Sequence, residues 1–336
     1  MKLCDINATH AEELRVAIVD GQKLIDIDIE TAGREQRKSN IYKGRIVRLE
    51  PSLEAAFVDY GAERHGFLPL KEISRDYFVP GVDPNKAGMK EYLREGQEVV
   101  VQVDKEERGN KGAALTTYLS LAGRYCVLMP NSSHGGGISR KINSSSDRKR
   151  LKTIIAEMDL PKSMGCIVRT AGLQRTKPEI KRDFDYLARL WDEIRENTLG
   201  SSAPAMIHSD SDLVKRAIRD IYNRDIEEVV VEGEHGYRAA KDFMKLLMPS
   251  HAKRVQHYAD PVPLFQRYHV EDQLNAMYQP IVQLKSGGYI VINPTEALVS
   301  IDINSGRSTK EHGIEQTALS TNLEAAREIA EHRCER

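Results

Sequence analysis

Between residues 39 and 121 the sequence breaks into short segments of alternating apolar and polar residues, at 41–50, 55–60, 67–69, 99–104 and 115–119, with Gly44, Gly61, Gly66 and Gly96 at the bends. A period of two places one set of side chains on each face of a strand. Five short strands separated by glycine corners over so short a stretch specify a small OB-type barrel. Tyr42, Phe57, Tyr60 and Phe67 interleave there with Lys43, Arg45, Arg64, His65, Lys105, Arg108 and Lys111. Single-strand binding requires aromatic faces that stack on bases beside cations that meet phosphate. Aromatics filling the barrel interior give the same sequence pattern, so for Phe57 and Phe67 both placements stand.

On either side the pattern changes to α/β. Residues 13–20 and 24–30, joined across Gly21-Gln22, predict a β-hairpin. Asp26, Asp28 and Glu30 form an acidic row on its second strand, read as the solvated face of an edge hairpin rather than a metal site. A strand is expected at 124–130, then a loop at 131–137 and a helix capped by Ser146 or Asp147 that carries Leu151, Ile154, Ile155 and Met158 at helical spacing. Residues 178–197 read as an amphipathic helix with Ile180, Phe184, Leu187, Leu190, Trp191 and Ile194 on one stripe and a solvated charged face opposite. Strands at 205–208 and 228–232 alternate with helices at 237–247 and after a cap at Ser211 or Asp212. A helix at 271–279 and a hairpin of 281–284 with 289–293 follow.

Two short motifs carry chemistry. In Ser300-Ile301-Asp302-Ile303-Asn304-Ser305-Gly306-Arg307 an apolar run, read as a buried or half-buried strand, is interrupted by Asp302 and Asn304. At i and i+2 their side chains leave one strand face together, and oxygen donors of this kind suit a hard divalent cation. A turn cap by Asp302 with a local hydrogen bond from Asn304 is the alternative. In Met164-Gly165-Cys166-Ile167-Val168-Arg169-Thr170-Ala171-Gly172 a strand ends on a guanidinium and a hydroxyl, which suits a phosphate monoester. An ordinary strand end with a surface arginine is the alternative there.

Lys+Arg of 49 against Asp+Glu of 50 gives a net charge of −1, so a nucleic-acid partner would have to be met by locally concentrated positive charge. Cys4, Cys126, Cys166 and Cys334 are far apart and lack CxxC spacing, which argues against a structural zinc site within the chain and fits a reducing compartment. No apolar run reaches the roughly 18 residues of a membrane span, and Met1-Lys2-Leu3-Cys4-Asp5 leads into no signal-peptide core. A cytoplasmic protein is expected.

Long segments of the sequence resemble the ribonuclease E/G family: Ile41-Tyr42-Lys43-Gly44-Arg45-Ile46, Pro51-Ser52-Leu53-Glu54-Ala55-Ala56-Phe57-Val58-Asp59-Tyr60-Gly61, Asp104-Lys105-Glu106-Glu107-Arg108-Gly109-Asn110-Lys111-Gly112, the run from Thr295 to Arg307, and Thr321-Asn322-Leu323-Glu324-Ala325-Ala326. The resemblance implies a mixed α/β and β protein of several subdomains. These are an RNase H-like subdomain (residues 1–38 and 213–279), an inserted OB-type RNA-binding barrel (39–121), a 5′-sensor subdomain (122–212) and the start of a DNase I-like catalytic subdomain (280–336). It implies an endoribonuclease that hydrolyses single-stranded RNA with Mg²⁺ in mRNA decay and rRNA and tRNA processing, with a preference for 5′-monophosphorylated ends. On the matching positions, Asp302 and Asn304 are catalytic, with Asp302 the metal ligand. Phe57, Phe67, Lys111 and Arg140 bind RNA, while Arg169 and Thr170, with the backbone at Val127, sense the 5′ phosphate.

The departure is at the end. The second metal-binding aspartate of the family, its zinc-sharing cysteine motif and its small C-terminal domain have no counterpart after Ala330. The expectation is therefore a truncated copy with impaired hydrolysis, monomeric or weakly associated rather than the family's homotetramer, without the degradosome-recruiting scaffold. A non-catalytic RNA-binding remnant is the alternative.

Overall fold

The computed structural model describes all residues except 11, 33–35, 83–87, 109–110, 133–135, 159, 162–163, 211, 309–312 and 335–336, with side chains omitted from 331 onward. Gly109 and Asn110, part of the 131–137 loop, the candidate cap Ser211 and the side chain of Cys334 therefore lie outside the described residues. Two compact units emerge: residues 1–31, 222–241 and 253–336, and residues 32–221 with 242–252.

The chain begins with an antiparallel meander, β1 (Lys2–His10), β2 (Glu13–Asp20) and β3 (Lys23–Thr31). The barrel follows as β4 (Ile41–Glu50), β5 (Ala55–Asp59), β6 (Gly66–Pro69), a single helical turn α1 (Met89–Tyr92), β7 (Glu98–Lys105) and β8 (Ala114–Thr116). β4 pairs with both β5 and β7, β6 with β5 and β8, and β7 with β8, so these five strands close into a barrel. Its interior holds Tyr42, Ile46, Leu49, Val58, Tyr60, Leu68, Val99, Val101 and Leu115. Gly44 sits within β4 rather than at a corner. An added Cβ there would lie 2.6 Å from Val58 Cγ1 and 2.9 Å from the Asp59 carbonyl, so the absence of a side chain is what lets β5 approach. Gly61, at φ +90°, is a true turn glycine.

Next come β9 (Leu121–Ala122), β10 (Cys126–Met129), β11 (Gly137–Ile138), α2 (Ser145–Ala156), β12 (Gly165–Val168) and α3 (Lys177–Gly200), the four strands forming one sheet in the order β11-β12-β10-β9. The cap of α2 is Ser144, whose hydroxyl accepts the Asp147 N–H; the predicted caps Ser146 and Asp147 both lie inside the first turn. Thr176 and Glu179 form a capping box at α3. β13 (Ala205–His208) adds to the barrel beside β4, and α4 (Leu213–Arg216), capped by Asp212, widens into a π-helical turn at Ala217–Ile221.

β14 (Ile226–Glu232), α5 (Glu234–Leu247), β15 (Val255–Tyr258), α6 (Leu264–Arg267) and α7 (Val270–Met277) complete a five-stranded sheet ordered β15-β14-β1-β2-β3, with β1 parallel to β14. Neither β1 nor β15 is anticipated by the sequence reading, yet β1 is central. Glu30 is also a correction: it is 8 % exposed, while Asp26 on the same strand faces solvent. Pairing is regular from Ile18–Asp26 to Leu14–Glu30, so the three acidic residues do share one face, and burial rises along it from exposed Asp26 through half-buried Asp28 to Glu30.

Last come β16 (Ile281–Gln283), β17 (Tyr289–Pro294), β18 (Val299–Asn304) and α8 (Ile314–Cys334), with Leu284, Ile290, Ile292 and Ala325 as their small core. The expected half-burial of the Asp302 strand fails over much of its length, since Leu298 and Val299 are 61 % and 57 % exposed. β18 is the edge of a three-stranded sheet, and only Ile301 packs inward. Among the described residues no helix is long and apolar enough to cross a membrane.

Candidate nucleic-acid interface

The barrel divides its aromatics. Tyr42 and Tyr60 point inward and pack edge-to-face at 5.1 Å. Phe57 and Phe67 are half-buried, lie directly opposite one another on β5 and β6, and are not part of the barrel core. Their rings meet edge-on at 5.9 Å, and the Arg48 guanidinium lies 4.6 Å above the Phe57 ring. Val47, Arg48, Phe57, Arg64, His65 and Gly112 line a shallow recess of about 450 Å³. Gly112 is the neighbour of Lys111, which is exposed and pairs through its backbone with Arg108. Two cations beside two half-buried aromatics outside the core are the combination that base stacking and phosphate contact require. Arg48, absent from the sequence-level set, carries no local signal beyond being a charge on a strand. Arg140, just after β11, is exposed; the structure does not join it to this recess.

The second cluster lies in the same unit, at the end of β12. Val127 pairs in register with Ile167, and the Arg169 N–H donates to the Tyr125 carbonyl at 2.8 Å, which draws Val127, Arg169 and Thr170 into one neighbourhood. Thr170 is exposed and opens a 3₁₀ turn. The Arg169 guanidinium is already held. Its Nη1 donates to the Gly123 carbonyl at 2.6 Å and lies 2.7 Å from Asp220 Oδ1. Nη2 and Nε make no hydrogen bond among the described residues. Asp220 also accepts from Arg219, which in turn makes a two-pronged pair with Asp210 at 2.6 and 3.1 Å. A larger recess of about 630 Å³ reaches this Asp210–Arg219 pair alongside Tyr186, His208 and Phe243, and none of the sequence-predicted RNA-binding residues line it. Asp220 and Arg219 were not among the expected site residues, because only the π-helical turn brings them to Arg169.

The third cluster is on the other unit. Asp302 and Asn304 do share one face of β18, and Asn304 Nδ2 donates to Asp302 Oδ2 at 3.0 Å. Asp302 is exposed. Among the described residues no group of three or more His, Cys, Asp or Glu side chains is arranged to hold a metal. A lone carboxylate with a carboxamide oxygen is still a fitting donor set for Mg²⁺, which keeps several waters and takes one or two carboxylates together with substrate phosphate.

A closed OB-type barrel with an outward aromatic pair flanked by arginines defines a nucleic-acid-binding protein. The sequence matches the S1 RNA binding domain over residues 35–117, the barrel, and the Ribonuclease E/G family over residues 120–333. It is 54 % identical over 331 residues to Ribonuclease E of Haemophilus influenzae and 52 % identical over 332 residues to Ribonuclease E of Escherichia coli K12, covering 98 % of this chain in both cases. Ribonuclease G of Escherichia coli K12 is 35 % identical over 329 residues, 97 % of this chain and 67 % of that protein. The chain belongs to the ribonuclease E/G family. It spans about a third of the length of the two ribonuclease E relatives, 35 % and 31 %.

Proposed function

We propose that this chain forms the RNA-binding part, and one carboxylate of the hydrolytic site, of an endoribonuclease acting on single-stranded RNA in mRNA decay and in rRNA and tRNA processing. The observation that carries this reading is the outward Phe57–Phe67 pair under Arg48 on a barrel of S1 type. Unstacked bases lie on the two rings, and Arg48, Arg64 and Lys111, with Arg140, neutralise the backbone. Arg169 offers its Nε–Nη2 edge, with the Thr170 hydroxyl and the backbone at Val127, to a 5′-terminal monophosphate. Residues 1–38 and 213–279 correspond in this reading to an RNase H-like subdomain, 39–121 to the barrel, 122–212 to the 5′ sensor and 280–336 to a DNase I-like subdomain.

Asp302, with the amide oxygen of Asn304, would hold Mg²⁺, which when bound supplies Lewis-acid polarisation of the phosphodiester and a lowered pKa for water. Asn304 Nδ2 keeps Asp302 oriented and, being neutral, is able to donate to the scissile phosphate without repelling it. The direct test compares the affinity of the protein for a single-stranded RNA and for a duplex of the same sequence. A-form pairing hides the base faces, so we expect at least a roughly tenfold preference for the single strand, the loss of about one stacked base. Equal affinity would mean that the surface reads helix shape and that the rings do not stack on bases.

A further inference from the structure

Asp183 is the one carboxylate of α3 that is fully enclosed, 2 % exposed, and it sits three residues after Ile180 and four before Leu187, within the apolar stripe. Among the described residues no cation pairs with it. Its Oδ1 accepts the Arg124 N–H at 3.0 Å, and its Oδ2 accepts the N–H groups of Tyr125 and Cys126 at 2.8 and 2.9 Å and the Cys126 thiol at 3.2 Å. The chain wraps this carboxylate so closely that a Cβ on Gly123 would fall 2.5 Å from Oδ2.

Residues 123–126 thereby become two-sided. Their N–H groups at 124–126 point at Asp183, while the Gly123 and Tyr125 carbonyls accept from Arg169, the first from its side chain and the second from its backbone. Arg124 extends the same bracket. Its guanidinium donates to the carbonyls of Ile218 and Arg219, which the π-helical turn leaves open, and that turn carries Asp220, the other partner of Arg169.

We infer that Asp183 is a positioning residue for the 5′-phosphate site: by gathering three consecutive backbone N–H groups it fixes the carbonyls that hold Arg169 with its Nε–Nη2 edge outward, and it sets the strand position of Val127. This inference rests on the reading of Arg169 as a phosphate sensor. In Asp183→Asn an amide N–H₂ replaces one acceptor and faces backbone donors, so part of the bracket opens. In Gly123→Ala the carboxylate remains but the turn is pushed off it.

The test is fluorescence anisotropy with a 3′-labelled single strand of about ten nucleotides, bearing either a 5′-monophosphate or a 5′-hydroxyl, on the wild-type protein and on Arg169→Gln, Asp183→Asn and Gly123→Ala. We expect the wild type to favour the monophosphate roughly tenfold, the worth of one or two charge-assisted hydrogen bonds. Asp183→Asn and Gly123→Ala should bring that ratio close to one while holding affinity for the 5′-hydroxyl RNA within about twofold. If Arg169→Gln leaves the ratio unchanged, the sensor reading itself fails. If Arg169→Gln abolishes the preference and both bracket variants keep it, the role of Asp183 is refuted with the sensor reading intact. Equal losses for both RNAs in both bracket variants would reduce Asp183 to a purely structural part and also refute it.

Discussion

Replacing Phe57 and Phe67 together by alanine is expected to weaken binding of a single-stranded RNA by roughly a hundredfold with the barrel still folded. Each base stacked on an aromatic contributes about 1–3 kcal/mol, and two neighbouring rings act on adjacent bases, so the combined loss is less than the simple sum. The fold tolerates the change because both rings stand outside the core built from Tyr42, Tyr60, Val58, Leu68 and Leu115. Arg48→Ala should cost less and should flatten the salt dependence, since it removes a phosphate contact together with the cation above the Phe57 ring. Anisotropy titrations at two salt concentrations separate these effects. A double-alanine variant within twofold of the wild type would place the RNA elsewhere.

The second large effect concerns stability. Asp5 lies on the central strand β1 between Ala17 and Val230, is 0 % exposed, and neither carboxylate oxygen has a hydrogen-bond partner among the described residues. Burial alone pushes its pKa up to about 7. The unfolded chain releases this proton near pH 4, whereas the folded chain keeps it to about 7. Between those values the folded state binds more protons, so stability falls as pH rises through that window and is level above it. About three pH units at about 1.4 kcal/mol each give a penalty on the order of 4 kcal/mol at pH 8. Asp5→Leu should remove it. Circular-dichroism melts at pH 5 and pH 8 should show the wild type losing stability relative to the variant on going to pH 8, with the variant's midpoint there higher by roughly 10 °C. Parallel pH profiles would show that Asp5 is solvated or paired after all.

The same residue explains part of what the sequence concealed. In Lys2–His10 apolar Cys4, Ile6 and Ala8 do alternate with polar Asp5, Asn7 and Thr9, but a carboxylate and an asparagine stand where a central strand would carry apolar residues, so the pattern does not announce a strand buried on both faces. The barrel was legible because five strands repeat one pattern with glycines at close approaches, Gly44 against Val58 being the clearest. Which aromatics face outward was not, since that depends on the register of β5 with β6. The strand of Asp302 was found, but apolar composition was mistaken for burial at an edge that only the sheet order reveals. At Arg169 the residue was legible and its surroundings were not: Gly123 is 46 residues away in sequence, and Asp220 arrives on a π-helical turn. Asp183 did leave a trace, a carboxylate inside an apolar helical stripe, which reads as a misplaced charge until its backbone partners are known.

The most direct test of the central claim is to incubate the protein with an internally labelled single-stranded RNA in Mg²⁺ or in excess chelator, beside the Asp302→Asn variant. Slow internal cleavage is expected, because this chain supplies one carboxylate of the site; it should need Mg²⁺ and fall to background in the variant, with RNA affinity within about twofold of the wild type because the barrel is untouched. RNA binding without metal-dependent cleavage, or cleavage that Asp302→Asn leaves intact, would contradict the claim.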